Sequence, residues 1–283
     1  MPELPEVEVI CRGLAPHLSK RKICSLTYSG KNLRTQVPYQ LMRKQLPNQI
    51  INDVRRRAKY IFMPLSHGDI LIFHLGMTGK LGLFPKSSAP QLHDHLCILL
   101  DNDMELRFND TRRFGSVHFF SQSEVPSIDT TLLKTTGPEP FSEVCSSDYL
   151  KKRAKGSTQA VKTFIMNGSI IAGVGNIYAN ESLFAAGIHP AKPAGKLTGK
   201  QWQLLITKIR EILLWAIDCG GSTISDFLNA SGQKGYFQAN FRVYGRNGYP
   251  CLLCSSLLEK TVIGGRASFY CPKCQKYLKR SRR

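Results

Sequence analysis

At 283 residues the chain has room for about two domains with buried cores, which excludes a lone binding motif or an unstructured peptide. Lysine and arginine number 39 against 20 aspartates and glutamates, a formal charge of +19 that favours a polyanionic partner, with an acidic membrane surface as the competing reading. No run approaches the roughly 18 apolar residues of a spanning helix, and the acidic first residues lack the apolar stretch of a signal, so a soluble, cytosolic protein is expected.

The sequence opens MPELPEVEV, with Pro2 followed by Glu3, Glu6 and Glu8. Val7, Ile10, Cys11 and Leu14 share one helical face, predicting a helix over 2–15 of about three turns, limited by Gly13 and Pro16. From 22 to 120 the text changes to short β-rich runs, KYIFMPL, DILIFHLGM, LCILLD, ELRFND and SVHFF, divided by turn clusters at 66–69 and 101–103. A mostly antiparallel sandwich of sheets with one attached helix is expected, within an α+β fold class. The stretch 121–142, containing SQSEVPS and TTGPEPF, reads as a linker or domain edge.

Beyond it the periodicity is helical. QAVKTFIMN and IYANESLFAAG flank the glycine-rich connection GSIIAGVGN, a helix–turn–helix that offers backbone amides and a helix N-terminus to an anion. Asn176 takes the cap position, where it either satisfies first-turn amides or donates to a phosphate. Over 198–218, Trp202, Leu205, Ile206, Ile209, Leu213 and Ala216 form one apolar stripe, opened by a Thr198/Gln201 capping box and stopped by Gly220 and Gly221.

Five of the nine cysteines (Cys11, Cys24, Cys97, Cys145, Cys219) are scattered, so no disulfide framework is expected. The other four form Cys251-Leu-Leu-Cys254 and, sixteen residues on, Cys271-Pro-Lys-Cys274, the spacing of a four-cysteine zinc site. One structural Zn2+ is expected, since four sulfurs leave no open position; redox use is the alternative. Between the pairs lies GGRASFY, with Arg266 at a hairpin tip. Two loops, HLGMTG at 74–79 and NDTRRFG at 109–115, each end in glycine and carry apolar beside polar residues: His74 and Met77 in one, Arg112 and Phe114 in the other. Such loops suit a wedge that fills the gap left by an extruded base, with core packing as the alternative. His93 and His95 resemble a metal pair but, lacking a third ligand, read as structural.

PELPEVE, RRRAKY with Lys59, HLGMTG, NDTRRFG, TGPEP, VKTFIMNGSIIAGVGNIYANESLF, and FRVYGRNGYPC through YCPKCQ follow one another over nearly the whole chain. With them the sequence resembles the bacterial formamidopyrimidine-DNA glycosylases, which belong with the endonuclease VIII group in the helix–two-turn–helix superfamily. PELPEVE and HLGMTG favour the purine-lesion branch, because endonuclease VIII members resemble PEGPE at the start. The resemblance implies a cytoplasmic, nucleoid-associated, monomeric base-excision repair enzyme that acts on damaged double-stranded DNA and not at a membrane. It would remove 8-oxoguanine and formamidopyrimidines and then cut the strand as an apurinic/apyrimidinic lyase. The implied domains are a catalytic β-sandwich over 1–134, a helix–two-turn–helix domain over 135–241 with a lesion-recognition loop at about 221–240, a zinc-finger hairpin over 242–276 and a basic tail over 277–283.

Residue by residue, the resemblance implies Pro2 as nucleophile after methionine removal, Glu3 as general acid and base, and Glu6 as support for the N-terminus. Lys59 would contact the phosphate beside the lesion and assist the lyase steps, and Lys162 would lie near the lesion. His74, Met77, Arg112, Phe114, Asn176 and Arg266 become DNA contacts: Met77, Arg112 and Phe114 in the gap, with Arg112 facing the orphaned cytosine, and Asn176 and Arg266 on phosphate. Thr223 and Tyr236 fall in the lesion loop. The chain departs from the common pattern with VGN for LGN, ANES for DES, and Val9 for Thr, none at a proposed catalytic atom. Two other readings stand beside this one: an endonuclease VIII-like enzyme for oxidised pyrimidines, and a zinc-bearing DNA-binding protein without catalysis.

Overall fold

In the computed structural model, which describes residues 2–220 and 241–277, the chain divides into two units, one built on 2–134 and the other on 135–218 with 241–277. The first runs α1 (Leu4–Leu18), β1 (Ile23–Tyr28), α2 (Tyr39–Gln45), β2 (Arg55–Arg57), β3 (Tyr60–Pro64), β4 (Ile70–His74), β5 (Gly79–Pro85), β6 (Asp94–Leu100), β7 (Met104–Asp110) and β8 (Ser116–Phe120). Two four-stranded antiparallel sheets, in the orders β1-β6-β7-β5 and β2-β3-β4-β8, enclose one core. Val7, Ile10, Cys11, Leu14 and Leu18 of α1 join that core beside Phe73, Leu96 and Phe108.

The first helix starts two residues later and ends three residues later than its sequence pattern suggests, at Leu18 instead of residue 15. Pro16 removes one internal hydrogen bond, but it stands in the last turn, between Leu14 and Leu18, whose burial carries the helix past it. The short α2 also went unmarked, because only Met42 among its seven residues is buried and no side chain caps it. β3 and β4 read as continuous apolar runs for a reason visible in the packing: both faces of their sheet are covered. Ile61, Met63, Leu71 and Phe73 face the main core, while Phe62, Ile70 and Ile72 pack under Ile128 and Leu133. The first part of the supposed linker is therefore a cover for the outer sheet face.

The second unit comprises α3 (Ser147–Ala154), α4 (Val161–Ile165), α5 (Asn176–Ala185), α6 (Gly199–Asp218), and the hairpin β9 (Glu259–Ile263) and β10 (Arg266–Tyr270). The α6 stripe is buried as expected. Its capping box is made, with Thr198 N donating to Gln201 Oε1 at 3.1 Å and Gln201 N donating to Thr198 Oγ1 at 3.2 Å. Gly220 (φ 84°) adopts the left-handed conformation that ends such a helix; Gly221 lies outside the described residues. Among the described residues no helix is long and apolar enough to cross a membrane.

Candidate active site and DNA-binding elements

Pro2 is partly exposed at the head of α1, and the two acids that follow it are buried, Glu3 at 2% and Glu6 at 3% exposure. Glu3 is the N-cap residue. A capping box joins it to Glu6, whose Oε2 accepts the Glu3 N–H at 2.7 Å, so Glu6 fixes the backbone on which residues 2 and 3 stand. One turn on, Glu8 pairs with Arg12 at 2.8 Å and with Arg56 Nε at 2.9 Å, which bonds the helix to β2. That strand ends in the two-residue turn Ala58–Lys59, with Arg57 and Tyr60 paired across it. Ala58 has φ 55°, a conformation costly for a residue with a side chain and one that recurs at functional sites.

The two suspected wedge loops are neighbours in the same unit. Met77 is 41% exposed, Phe114 is 44% exposed, and the Arg112 guanidinium lies 4.6 Å from the centre of the Phe114 ring. One carboxylate ties the loops together. Asp110, fully buried, accepts from Thr78 Oγ1 of the first loop at 2.5 Å and from Gly115 N of the second at 2.7 Å, and Thr78 Oγ1 accepts from Arg112 N at 3.1 Å. Gly76 (φ 60°) must be glycine, since a Cβ there would lie 2.3 Å from the Phe114 carbonyl carbon. Nothing in the sequence pairs residue 78 with 110, so Thr78 and Asp110 were missed as supports of the wedge. His95 adds to the same support: its ring bridges Ser29 Oγ and the Asp110 carbonyl, each at 3.0 Å, consistent with a structural rather than metal-binding role.

His74 opens the first loop. Its Nδ1 accepts from Gly76 N at 3.1 Å and its ring lies 4.8 Å from that of Tyr60. Burial, and then the charges of Arg34, Lys59 and His118, push its pKa down from 6.5 to about 4, so it stands neutral beside cations that would draw an anion. A folded-state pKa below the unfolded value means that the stability is fully present above pH 6.5 and is lost as pH falls through 6.5 towards 4. The loss is on the order of 3 kcal/mol from this residue alone. Urea midpoints measured from pH 7 to 4 should therefore fall, and His74→Gln should flatten part of that decline.

In the second unit Gly175 is the N-cap of α5 and Asn176 is its first helical residue, not the cap the sequence suggested. The Asn176 Oδ1 is buried and has no hydrogen-bond partner among the described residues, so this oxygen is not spent on capping the helix end. Lys162, for which the resemblance implies a place near the lesion, is fully buried and donates to Ala267 O and Ser268 Oγ, both at 2.7 Å. It thereby grips the strand that begins with the exposed Arg266. Glu181, buried, accepts three backbone N–H bonds from Arg242, Val243 and Tyr244 at 2.8–3.0 Å. Burial pushes its pKa up against the pull of those bonds.

The four cysteine sulfurs converge within 4.8 Å of one another, with Cys251 and Cys274 Sγ 3.9 Å apart and Cys254 and Cys271 Sγ 3.4 Å apart. Sulfurs at about 2.3 Å from a tetrahedral ion stand roughly 3.8 Å from each other, so the set fits one structural zinc. The remaining cysteines are free, and burial pushes the thiols of Cys11, Cys97 and Cys145 up to about 12, 11 and 11, away from reactive thiolate. Thr223 and Tyr236 lie outside the described residues.

The profile of the formamidopyrimidine-DNA glycosylase N-terminal domain matches residues 1–117, that of the H2TH domain of the same glycosylase matches 136–228, and that of a zinc finger found in FPG and IleRS matches 248–276. A Photobacterium profundum protein named formamidopyrimidine-DNA glycosylase is 43% identical over 278 residues, 98% of this chain and 100% of its own. Two solved structures of Lactococcus lactis Fpg are each 33% identical. One, in complex with DNA containing FAPY-dG, has a TM-score of 0.87 over 97% of this chain and 100% of that one. The other, in complex with DNA containing an oxidised pyrimidine, has a TM-score of 0.88 over 98% of this chain and 100% of that one. With full-length relatives of this name and DNA complexes of the same fold, the chain belongs to the formamidopyrimidine-DNA glycosylase family, the glycosylases of base-excision DNA repair.

Proposed function

We propose that this glycosylase removes oxidised purines, 8-oxoguanine and formamidopyrimidines, from duplex DNA and then cleaves the strand, with Pro2 as its nucleophile. The observation that carries the reading is the head of α1, where Pro2 precedes two buried carboxylates, one of them bonded to the backbone of the other. Once Met1 is removed, the Pro2 amine attacks C1′ of the damaged nucleoside while Glu3 protonates the opening sugar. The base departs with the electrons of the glycosidic bond. What remains is an iminium that, formed from a secondary amine, cannot shed its charge and so acidifies the 2′ proton. Loss of that proton expels the 3′ phosphate, and a second elimination expels the 5′ phosphate, leaving a one-nucleoside gap.

In this reading Glu6 keeps Glu3 in place, and Lys59 and His74 bind the backbone phosphate near the lesion. Met77, Arg112 and Phe114 fill the space left by the extruded nucleotide, with Arg112 donating to the widowed cytosine. Asn176 and Arg266 hold phosphates, and Lys162 acts through the strand that carries Arg266. Thr223 and Tyr236 contact the lesion base. The zinc supplies no chemistry: Cys251, Cys254, Cys271 and Cys274 hold it, and it keeps the hairpin folded. The enzyme acts as a cytoplasmic monomer on damaged double-stranded DNA.

The second reading, action on oxidised pyrimidines, has one observation behind it, the Lactococcus lactis complex with an oxidised pyrimidine. Excision from duplexes carrying 8-oxoguanine opposite cytosine is expected to exceed excision of thymine glycol. Processing of the pyrimidine lesion alone would overturn the purine assignment.

A further inference from the structure

The departure of this chain from the DES pattern, Asn180, occupies a joint. It lies one turn after Asn176 on the buried α5 and is itself 1% exposed. Its amide makes two bonds in opposite senses: Nδ2 donates to the Asn176 carbonyl at 2.7 Å, and Oδ1 accepts the Phe269 N–H at 2.8 Å. Phe269 stands three residues after Arg266 on β10, whose other edge pairs with β9. Residues two apart in a strand direct their backbone groups to the same edge. Thus the Ala267 carbonyl bound by Lys162 and the Phe269 N–H bound by Asn180 lie along one open edge of the hairpin, completed by side chains instead of a third strand. At the far end of that edge Gly264 (φ 58°) lies so close to α4 that a Cβ would meet Thr163 Oγ1 at 2.8 Å.

We propose that Asn180 is a positioning residue for DNA binding: its single amide holds the first turn of α5, with Asn176, at a fixed spacing from the strand that carries Arg266. The inference rests on the reading of Asn176 and Arg266 as phosphate contacts. Two contacts on a rigid frame reinforce each other, because engaging one phosphate places the next at its partner; on a loosened frame they act separately. The joint needs a donor and an acceptor in one short side chain. An aspartate supplies the acceptor for Phe269 alone and faces the Asn176 carbonyl with a second oxygen.

The test is a double-mutant cycle on dissociation constants for a duplex containing a tetrahydrofuran abasic-site analogue, with zinc content and thermal melting as checks on folding. Asn176→Ala and Arg266→Ala should each weaken binding, and their effects should be coupled by at least about threefold. Asn180→Ala should weaken binding about tenfold and abolish that coupling, with zinc content kept, and Asn180→Asp should fall between it and the native protein. A residue that merely stabilised the fold would lower affinity and leave the coupling intact, which would overturn the proposal. Should Asn180→Ala fail to fold, Asn180→Asp carries the same comparison. If Asn176→Ala and Arg266→Ala both bind as tightly as the native protein, the phosphate reading itself falls, an outcome distinct from loss of the joint alone.

Discussion

Borohydride added to the protein and a duplex carrying 8-oxoguanine opposite cytosine is expected to trap a covalent protein–DNA complex. The yield should fall on the order of 10²-fold or more in Pro2→Gly and vanish when an N-terminal tag keeps residue 2 inside a peptide bond. The physical reason lies in the amine. At pH 7.5 roughly a third of an ordinary α-amino group is free base, against about one part in a thousand for a lysine. A glycine in its place still offers an amine, but the imine it forms can lose a proton and go neutral, whereas the adduct of a proline ring stays cationic and remains an electron sink. A peptide nitrogen has no such lone pair to give. Equal trapping by tagged and native protein would remove Pro2 from the mechanism.

Removing the metal should be nearly as damaging, by a different route. Chelation, or Cys251→Ser, is expected to lower affinity for lesion DNA by about a hundredfold or more while the N-terminal unit keeps its fold. Structural zinc sites contribute about 10–16 kcal/mol to the folding of the segment they close. Here Cys251 and Cys271 also belong to an apolar cluster with Phe184, Val243, Leu258 and Phe269, so losing the metal opens the packing that holds β10 to α5. The core of the N-terminal unit contains none of these residues. Circular dichroism and thermal melting of the zinc-free protein should therefore show one transition weakened and the other kept. Affinity unchanged without metal would refute the role given to the hairpin.

What the sequence made legible follows from how local each signal is. The α6 stripe and its Thr198/Gln201 box depend on residues three and four apart, and both form as read. The strand runs of the sandwich were visible because apolar β-formers are contiguous there, although the cover over Phe62, Ile70 and Ile72 by Ile128 and Leu133 is a tertiary fact that made 121–134 look like linker. Tertiary burial likewise carried α1 past Pro16. At the site, motif spacing marked Met77, Arg112 and Phe114 but not the Asp110 carboxylate that joins their loops across more than thirty residues. The family resemblance marked Lys162 and the glycine-rich connection marked Asn176, without revealing that one is buried under the hairpin or that the other starts a helix capped by Gly175. Long-range polar bonds of this kind leave no periodic trace in a chain.

The most direct test of the central claim is to locate the trapped nucleoside. Mass spectrometry of the borohydride-reduced complex, digested with trypsin and nuclease, should place the adduct on the peptide running from Pro2 to Arg12, with Met1 absent. An adduct on a peptide containing Lys59 or Lys162, with residue 2 unmodified, would contradict the account.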